Sequence, residues 1–156
     1  MKGLKLDKLD KRILTILQQK GRISNQQLAE QVSLSPAASW RRVKALEDSG
    51  LIKGYSAQLS SKHLGQSLCV LINLSLQRHT QASSAKIEEQ VSSYPEVLQC
   101  FAVTGNADFI LRVLVADMAS YDKFLNEKIF TIEGILQVNS NFVLREIKNS
   151  QSVPVT

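Results

Sequence analysis

Three separate helix-start signals, at Asp7, Ser24 and Ser35-Pro36, crowd the first part of this chain, and each leaves room for only a short helix before the next begins. Asp7 can cap residues 8–20 (KLDKRILTILQQK), where Leu9, Ile13, Ile16 and Leu17 recur at helical spacing and Gly21 stands at the C′ position. Ser24-Asn25-Gln26-Gln27 has the form of a capping box, in which a hydroxyl and an amide satisfy two orphan N–H groups of a new helix. That spacing predicts a helix over 25–32 that buries Leu28, Ala29 and Val32. Ser35 is a good N-cap, and Pro36 falls at the first helical position, where its missing N–H costs nothing. The third helix is therefore expected over 36–49, stopped by Gly50 in a left-handed cap.

Two helices joined by a turn of about four residues, after a leading helix, form the helix-turn-helix pattern. The third helix carries its own evidence. At about 100° per residue, Ser39, Val43 and Leu46 share one face and must point at the core. The opposite face carries Ala37, Arg41, Lys44 and Asp48, with Ala38 beside them at the same end. Small residues come first and cations follow, the order required of a helix whose N-terminal end enters a major groove. Ser35, Ala37, Ala38, Trp40, Arg41, Arg42 and Lys44 are the candidate DNA contacts here. Trp40 is either a core residue of a small domain or a flank residue packing on sugar–phosphate; its position, about 100° from the core centre, favours the flank. Arg42 lies about 60° off the buried face and is expected to reach a phosphate or to pair with Glu47 or Asp48. Lys20 and Arg22, in the loop before the second helix, either touch phosphates or are merely solvated.

Charge supports a division of labour. Residues 1–54 carry eleven basic and five acidic side chains, a net of +6, whereas residues 55–156 carry eight and nine, a net of −1. All the excess positive charge sits in the first third, as expected for a nucleic-acid-binding part joined to a part with another task.

After Gly50, Leu51–Leu59 (LIKGYSAQL) is expected to return as a short strand, closing a domain over 1–59, and 60–66 is expected to be a linker. The rest alternates. Leu68, Val70, Ile72, Leu74 and Leu76 occupy every second position of a strand. Residues 83–94 place Ile87, Val91 and Tyr94 on one helical face, and Pro95 ends it. Two strand-length runs, 97–104 and 108–116, flank Gly105-Asn106-Ala107 as a hairpin. Asp117 caps a helix expected to bury Met118, Tyr121, Leu125 and Ile129, and 135–147 is a last strand. The order βαββαβ over 67–156 is the ferredoxin-like arrangement, an antiparallel sheet with both helices on one face. The bare face needs cover, which predicts self-association. The whole is an α+β chain.

Other classes lack support. The chain is 44% apolar and 21% charged, which excludes a disordered tail, and no apolar run approaches the ~20 residues of a membrane span. Asp7 interrupts the N-terminus before any apolar stretch, unlike a secretory signal. Cys69 and Cys100 form no CxxC pair, so no disulfide framework, zinc site or other cofactor is expected, and they read as small apolar residues of a cytoplasmic protein. His63 and His79 are lone residues with no assigned role. No Ser/His/Asp set, carboxylate pair or phosphate-cradling Gly loop is evident, so no catalytic residue is assigned and an enzyme is not expected.

Against this background the chain resembles the feast/famine regulators of the Lrp/AsnC (leucine-responsive/asparagine-operon) family from about Leu6 to Ile147. Residues 6–55 match the family's leading LDxxDxxIL, the GRIS(N) turn, the LSPxxxxxRVxxLExxGxI recognition helix and the GY that follows. Pro95-Glu96-Val97, Thr104–Phe109 and the Phe142–Lys148 segment match the C-terminal part. The resemblance implies a winged helix-turn-helix domain joined to a RAM/ACT-like domain that binds small effectors, usually amino acids, and builds dimers that assemble into octamers. In relatives the effector lies between subunits near a loop written G-D-x-D-Y. Here Gly105 and Asp108 match, Asn106 replaces an acidic residue and Phe109 replaces Tyr. The resemblance thus implies an effector site at Gly105, Asn106 and Asp108, with the Asp108 carboxylate accepting from an α-ammonium group; the alternative is a plain Gly-Asn turn.

The function expected from the sequence is transcriptional regulation through specific double-stranded DNA. A dimer would present two third helices to successive major grooves, so sites should be imperfect palindromes, and a small effector, an amino acid by resemblance, would modulate binding. One rival is an architectural octamer that organises DNA with no effector. A second is a metabolite-binding subunit that docks on an enzyme, against which the +6 N-terminal third argues.

Overall fold

The computed structural model describes residues 5–77, 81–150 and 152–155. Its contacts divide the chain into two compact units, 1–58 with 148–156, and 59–147. His79 lies outside the described residues.

The first unit is three helices, α1 (Lys8–Gln19), α2 (Asn25–Val32) and α3 (Pro36–Asp48). All three starts use the expected caps. Asp7 accepts from the Asp10 N–H, Ser24 from the Gln27 N–H and Ser35 from the Ala38 N–H. Reciprocal capping boxes form at Asp7/Asp10 and Ser24/Gln27. The α2–α3 turn is tight because Ser33 adopts a left-handed conformation (φ 57) while the Leu34 N–H donates to the Ala29 carbonyl at 2.9 Å. Gly50 takes φ 75 just past α3, where only glycine escapes the Cβ penalty. Ile13, Leu14, Leu28, Val32 and Leu46 make the core.

Two expectations fail in this unit. Leu51–Leu59 forms no strand: it begins in a bend and stays irregular, with Leu51, Tyr55 and Leu59 exposed. Among the described residues the unit holds no second strand for it to pair with, and a lone strand leaves its N–H and C=O groups unmet. The other surprise is the C-terminal segment. Residues 148–156, read from sequence as the end of the second domain, belong to the first unit. The Gln18 side-chain amide donates to the Val153 carbonyl at 3.1 Å and accepts from the Val153 N–H at 2.6 Å, in the manner of a neighbouring strand. Val155 then packs on the helical core.

The second unit holds β1 (Leu68–Leu76), α4 (Gln81–Ser92), β2 (Val97–Ala102), β3 (Phe109–Val115), α5 (Met118–Phe124) and β4 (Ile135–Phe142). The strands form one antiparallel sheet in the order β2-β3-β1-β4. Val70, Ile72, Leu74 and Leu76 of β1 and Phe109, Leu111, Val113 and Val115 of β3 are buried, the alternation that a half-covered sheet requires. Against them pack Ile87 and Val91 of α4, Tyr121 and Phe124 of α5, and Ile129. Met118, expected inside, is 56% exposed, and Phe124 occupies the core instead. Residues 125–129 continue α5 as a π turn, and Leu125 and Ile129 pack on the core there as their spacing predicts. The last strand ends at Phe142 rather than residue 147. Residues 60–66, expected as a linker, fall within the second unit and include a 3₁₀ turn, Lys62–Leu64.

Candidate functional site

The outward side of α3 is built from its cap upward. Ser35 accepts from the Ala38 N–H at 3.2 Å, and the Asn25 side-chain amide donates to the Pro36 carbonyl at 2.8 Å, fixing the first turn of α3 against the start of α2. Ala37 is exposed and Ala38 half-buried, so no bulk stands at the leading end. Trp40 is 60% exposed, so it is not a core residue. Arg41 is exposed and makes no ion pair among the described residues. Lys44 pairs with Asp48 at 3.0 Å, and that carboxylate raises its pKa. Trp40, Lys44 and Tyr55 line one groove with Asn25, Val43 and Glu47.

Arg42 is placed otherwise than expected. It pairs with neither Glu47 nor Asp48 but with Asp7 and Asp10 at the start of α1, at 2.8 and 2.7 Å. Arg22 is exposed in a separate groove lined also by Lys20, Gln27, Glu30 and Gln31. Two residues of this surface were not singled out from sequence. Asn25 was legible only as part of a capping motif. Tyr55 donates its hydroxyl to Glu47 at 3.1 Å, and burial followed by that carboxylate raises its pKa; the aromatic after Gly54 was its one signal.

In the second unit the β2–β3 hairpin brings Gly105, Asn106 and Asp108 together. The Val103 N–H donates to the Asp108 carbonyl at 2.9 Å, closing the turn, and Gly105 has φ 118. The Ser75 hydroxyl donates to the Asn106 carbonyl at 3.2 Å. Asp108 is bound at both backbone and side chain to the end of β1: its N–H donates to the Leu74 carbonyl at 2.8 Å, and Oδ2 accepts from the Leu76 N–H at 2.7 Å. Its carboxylate therefore anchors the loop to the sheet. Phe109 is buried at 4% exposure, so the position where relatives carry Tyr serves the core here.

Elsewhere in this unit Lys128 meets both oxygens of Glu96, at 2.7 and 2.8 Å, and lies over the Tyr94 ring at 5.2 Å. Partial burial pushes Glu96 up, but Lys128 outweighs it and its pKa ends below the usual carboxylate value. Among the described residues no group of three His, Cys, Asp or Glu side chains could hold a metal ion, and no helix is long and apolar enough to cross a membrane.

Comparison with known proteins places both units. Residues 6–53 match the family model described as a winged helix-turn-helix DNA-binding domain, and residues 69–153 match the Lrp/AsnC ligand binding domain. The chain is 37% identical over 150 residues to the Bkd operon transcriptional regulator of Pseudomonas aeruginosa, covering 96% of this chain and 98% of that one. It is 35% identical over 153 residues to the leucine-responsive regulatory protein of Escherichia coli K12, covering 98% and 93%. Among solved structures, a transcriptional regulator of Neisseria meningitidis in complex with L-methionine superposes with a TM-score of 0.92 at 38% identity, covering 96% and 97%.

Proposed function

The chain belongs to the Lrp/AsnC family of transcriptional regulators, DNA-binding proteins rather than enzymes, and on that premise we propose that it recognises specific, imperfectly palindromic DNA under the control of an amino-acid effector. The observation that carries the first half is the outer face of α3: a small, unobstructed leading end at Ala37 and Ala38, then Arg41, exposed and without an ion pair among the described residues. An arginine held by no carboxylate has its full donor fork available for a guanine edge. Lys44 joins it once its exposed pair with Asp48 opens. Trp40, Ser35 and Arg22 contact the sugar–phosphate backbone and set register without reading sequence.

The effector reading is supported by the ligand-binding match over 69–153 and by the L-methionine carried by the Neisseria relative. The exposed Gly105-Asn106 corner, with the β1-anchored Asp108 behind it, is the proposed contact for the ligand's ammonium and backbone-sized groups. Self-association is supported by the uncovered sheet face, where Leu71, Phe101, Ile110 and Leu114 stand opposite the helix-covered side. A homodimer closes that face, and further assembly to an octamer follows the family resemblance. The regulator would act in the cytoplasm, where its DNA is.

Arg41→Ala tests the reading. It should cost ~1–3 kcal/mol on a selected site and much less on random duplex at the same salt. Equal losses on both would make Arg41 a phosphate contact and favour an architectural protein.

A further inference from the structure

Arg42 sits next to Arg41 on the recognition helix, yet its guanidinium turns inward across the unit. Nη1 has two hydrogens and gives one to Asp7 Oδ2 at 2.8 Å and the other to Asp10 Oδ1 at 2.7 Å. The same two carboxylates use their remaining oxygens in the capping box of α1. Asp7 Oδ1 accepts from the Asp10 N–H at 2.8 Å, and Asp10 Oδ2 accepts from the Asp7 N–H at 3.1 Å. All four carboxylate oxygens thus have a donor, and a single arginine completes a closed network.

The cluster's charge argues against a phosphate role. Two carboxylates outweigh one guanidinium, so a DNA phosphate approaching Arg42 meets a net negative group. Asp7 stays ionised well into acid, because the Asp10 N–H and then Arg42 hold its pKa below the usual value. Asp10, and then Asp7, raise that of Arg42. The network joins residues 32 and 35 apart in the sequence.

Position along α3 gives the network its consequence. Asn25 ties the first turn of α3 to α2 at the Pro36 carbonyl, and Arg42 ties the second turn to α1. Two anchors at different heights, on different neighbours, oppose both sliding and rotation of α3 about its own axis. Rotation decides where Arg41 and Lys44 point, and a bidentate contact to guanine tolerates little error in direction.

We propose that Arg42 is a positioning residue for base recognition: it contacts no DNA, and through the α1 capping box it sets the rotation at which α3 presents Arg41 and Lys44. This rests on the sequence-specific reading given above.

The test uses the full chain. Wild-type protein first enriches a consensus from a random duplex library, and affinities for that consensus and for random duplex are then measured from 50 to 200 mM salt. Arg42→Gln should lower the ratio of specific to non-specific affinity by about tenfold, the range for losing one well-placed base contact. Random-duplex affinity and the salt slope should be unchanged, since each lost phosphate contact would flatten that slope by about 0.9. The double variant Asp7→Asn with Asp10→Asn retains good capping residues at α1. It should reproduce the loss of ratio even if Arg42→Gln fails to fold. A parallel loss on both duplexes with a flatter slope, or no change on either, overturns the proposal. If wild-type protein enriches no consensus, the sequence-specific reading itself falls, and the salt slope alone still decides whether Arg42 touches phosphate.

Discussion

Along β1 and β3 of the sheet unit every second side chain is buried, and with α4, α5 and the turn after it they form, among the described residues, one cluster of fourteen buried residues. The corresponding cluster of the helical unit, among the described residues, is five: Ile13, Leu14, Leu28, Val32 and Leu46. A core that small leaves little margin after conformational entropy. What the helical unit has instead are polar closures at helix ends: a capping side chain on each helix, two reciprocal capping boxes, Asn25 on the Pro36 carbonyl and Arg42 on Asp7 and Asp10. The DNA-facing part is thus held at defined angles by exposed, directional, individually modest interactions. The ligand-binding part is held by non-directional burial.

That contrast breaks most easily at the sheet. Leu111 is fully buried on the inner strand β3, and Leu111→Ala should lower unfolding free energy by ~2–5 kcal/mol, through lost transfer energy and the cavity left behind. Urea denaturation followed by far-UV circular dichroism measures it. Fluorescence of Trp40, the chain's single tryptophan, reports the helical unit separately. A loss below about 1 kcal/mol would show that the sheet core repacks freely and that burial is not what holds this unit.

How far the sequence revealed this arrangement follows the same division. Helix α2 and strand β1 could be read with their bounds, because Ser24-x-x-Gln27 and strict alternation over 68–76 are local signals. The core face of α3 and the exposure of Trp40 followed from angular arithmetic alone. Interactions closing over long sequence separations were invisible. Nothing local connects Arg42 to Asp7, or Gln18 to Val153, and a Val-Pro-Val tail has no periodicity to announce its packing. The strand expected over 51–59, as the chain's return after Gly50, needed a partner strand, and a local segment cannot tell whether one exists. In the Gly105–Asp108 hairpin the spacing of Gly105 and Asp108 was legible. That Asp108 also anchors the hairpin to the Leu76 N–H depends on strand register, which the sequence does not state.

A smaller effect sharpens the picture of the sheet unit's β2–β3 hairpin. Asn106 is exposed, and its recorded bond uses the backbone carbonyl, so Asn106→Asp leaves the hairpin's polar closures in place. The variant restores the second carboxylate of the G-D-x-D-Y pattern. On the effector reading proposed above, isothermal calorimetry with L-methionine, the ligand of the Neisseria relative, should show roughly tenfold tighter binding than wild type, the scale of one added charge-assisted hydrogen bond. Equal affinities would mean that position 106 does not face the ammonium group, and the ligand contact would have to be sought elsewhere in the unit.

The smallest expected change lies at the one buried polar side chain of the helical unit among the described residues. Ser39 is fully buried on α3, and its Oγ has no hydrogen-bond partner among the described residues. Its place on the inward face of α3 buries it completely. The hydroxyl gains nothing there and loses its hydration. Ser39→Ala keeps the small volume, removes the unmet group and raises helix propensity, so it should stabilise the unit by about 1 kcal/mol. The gain should appear as a higher midpoint in the Trp40 signal, with selected-site affinity unchanged, because Ser39 faces away from Arg41. A destabilised variant would reveal that the hydroxyl holds a buried water or a backbone carbonyl in solution. The helical core would then rely on a polar contact in its interior as well as at its helix ends.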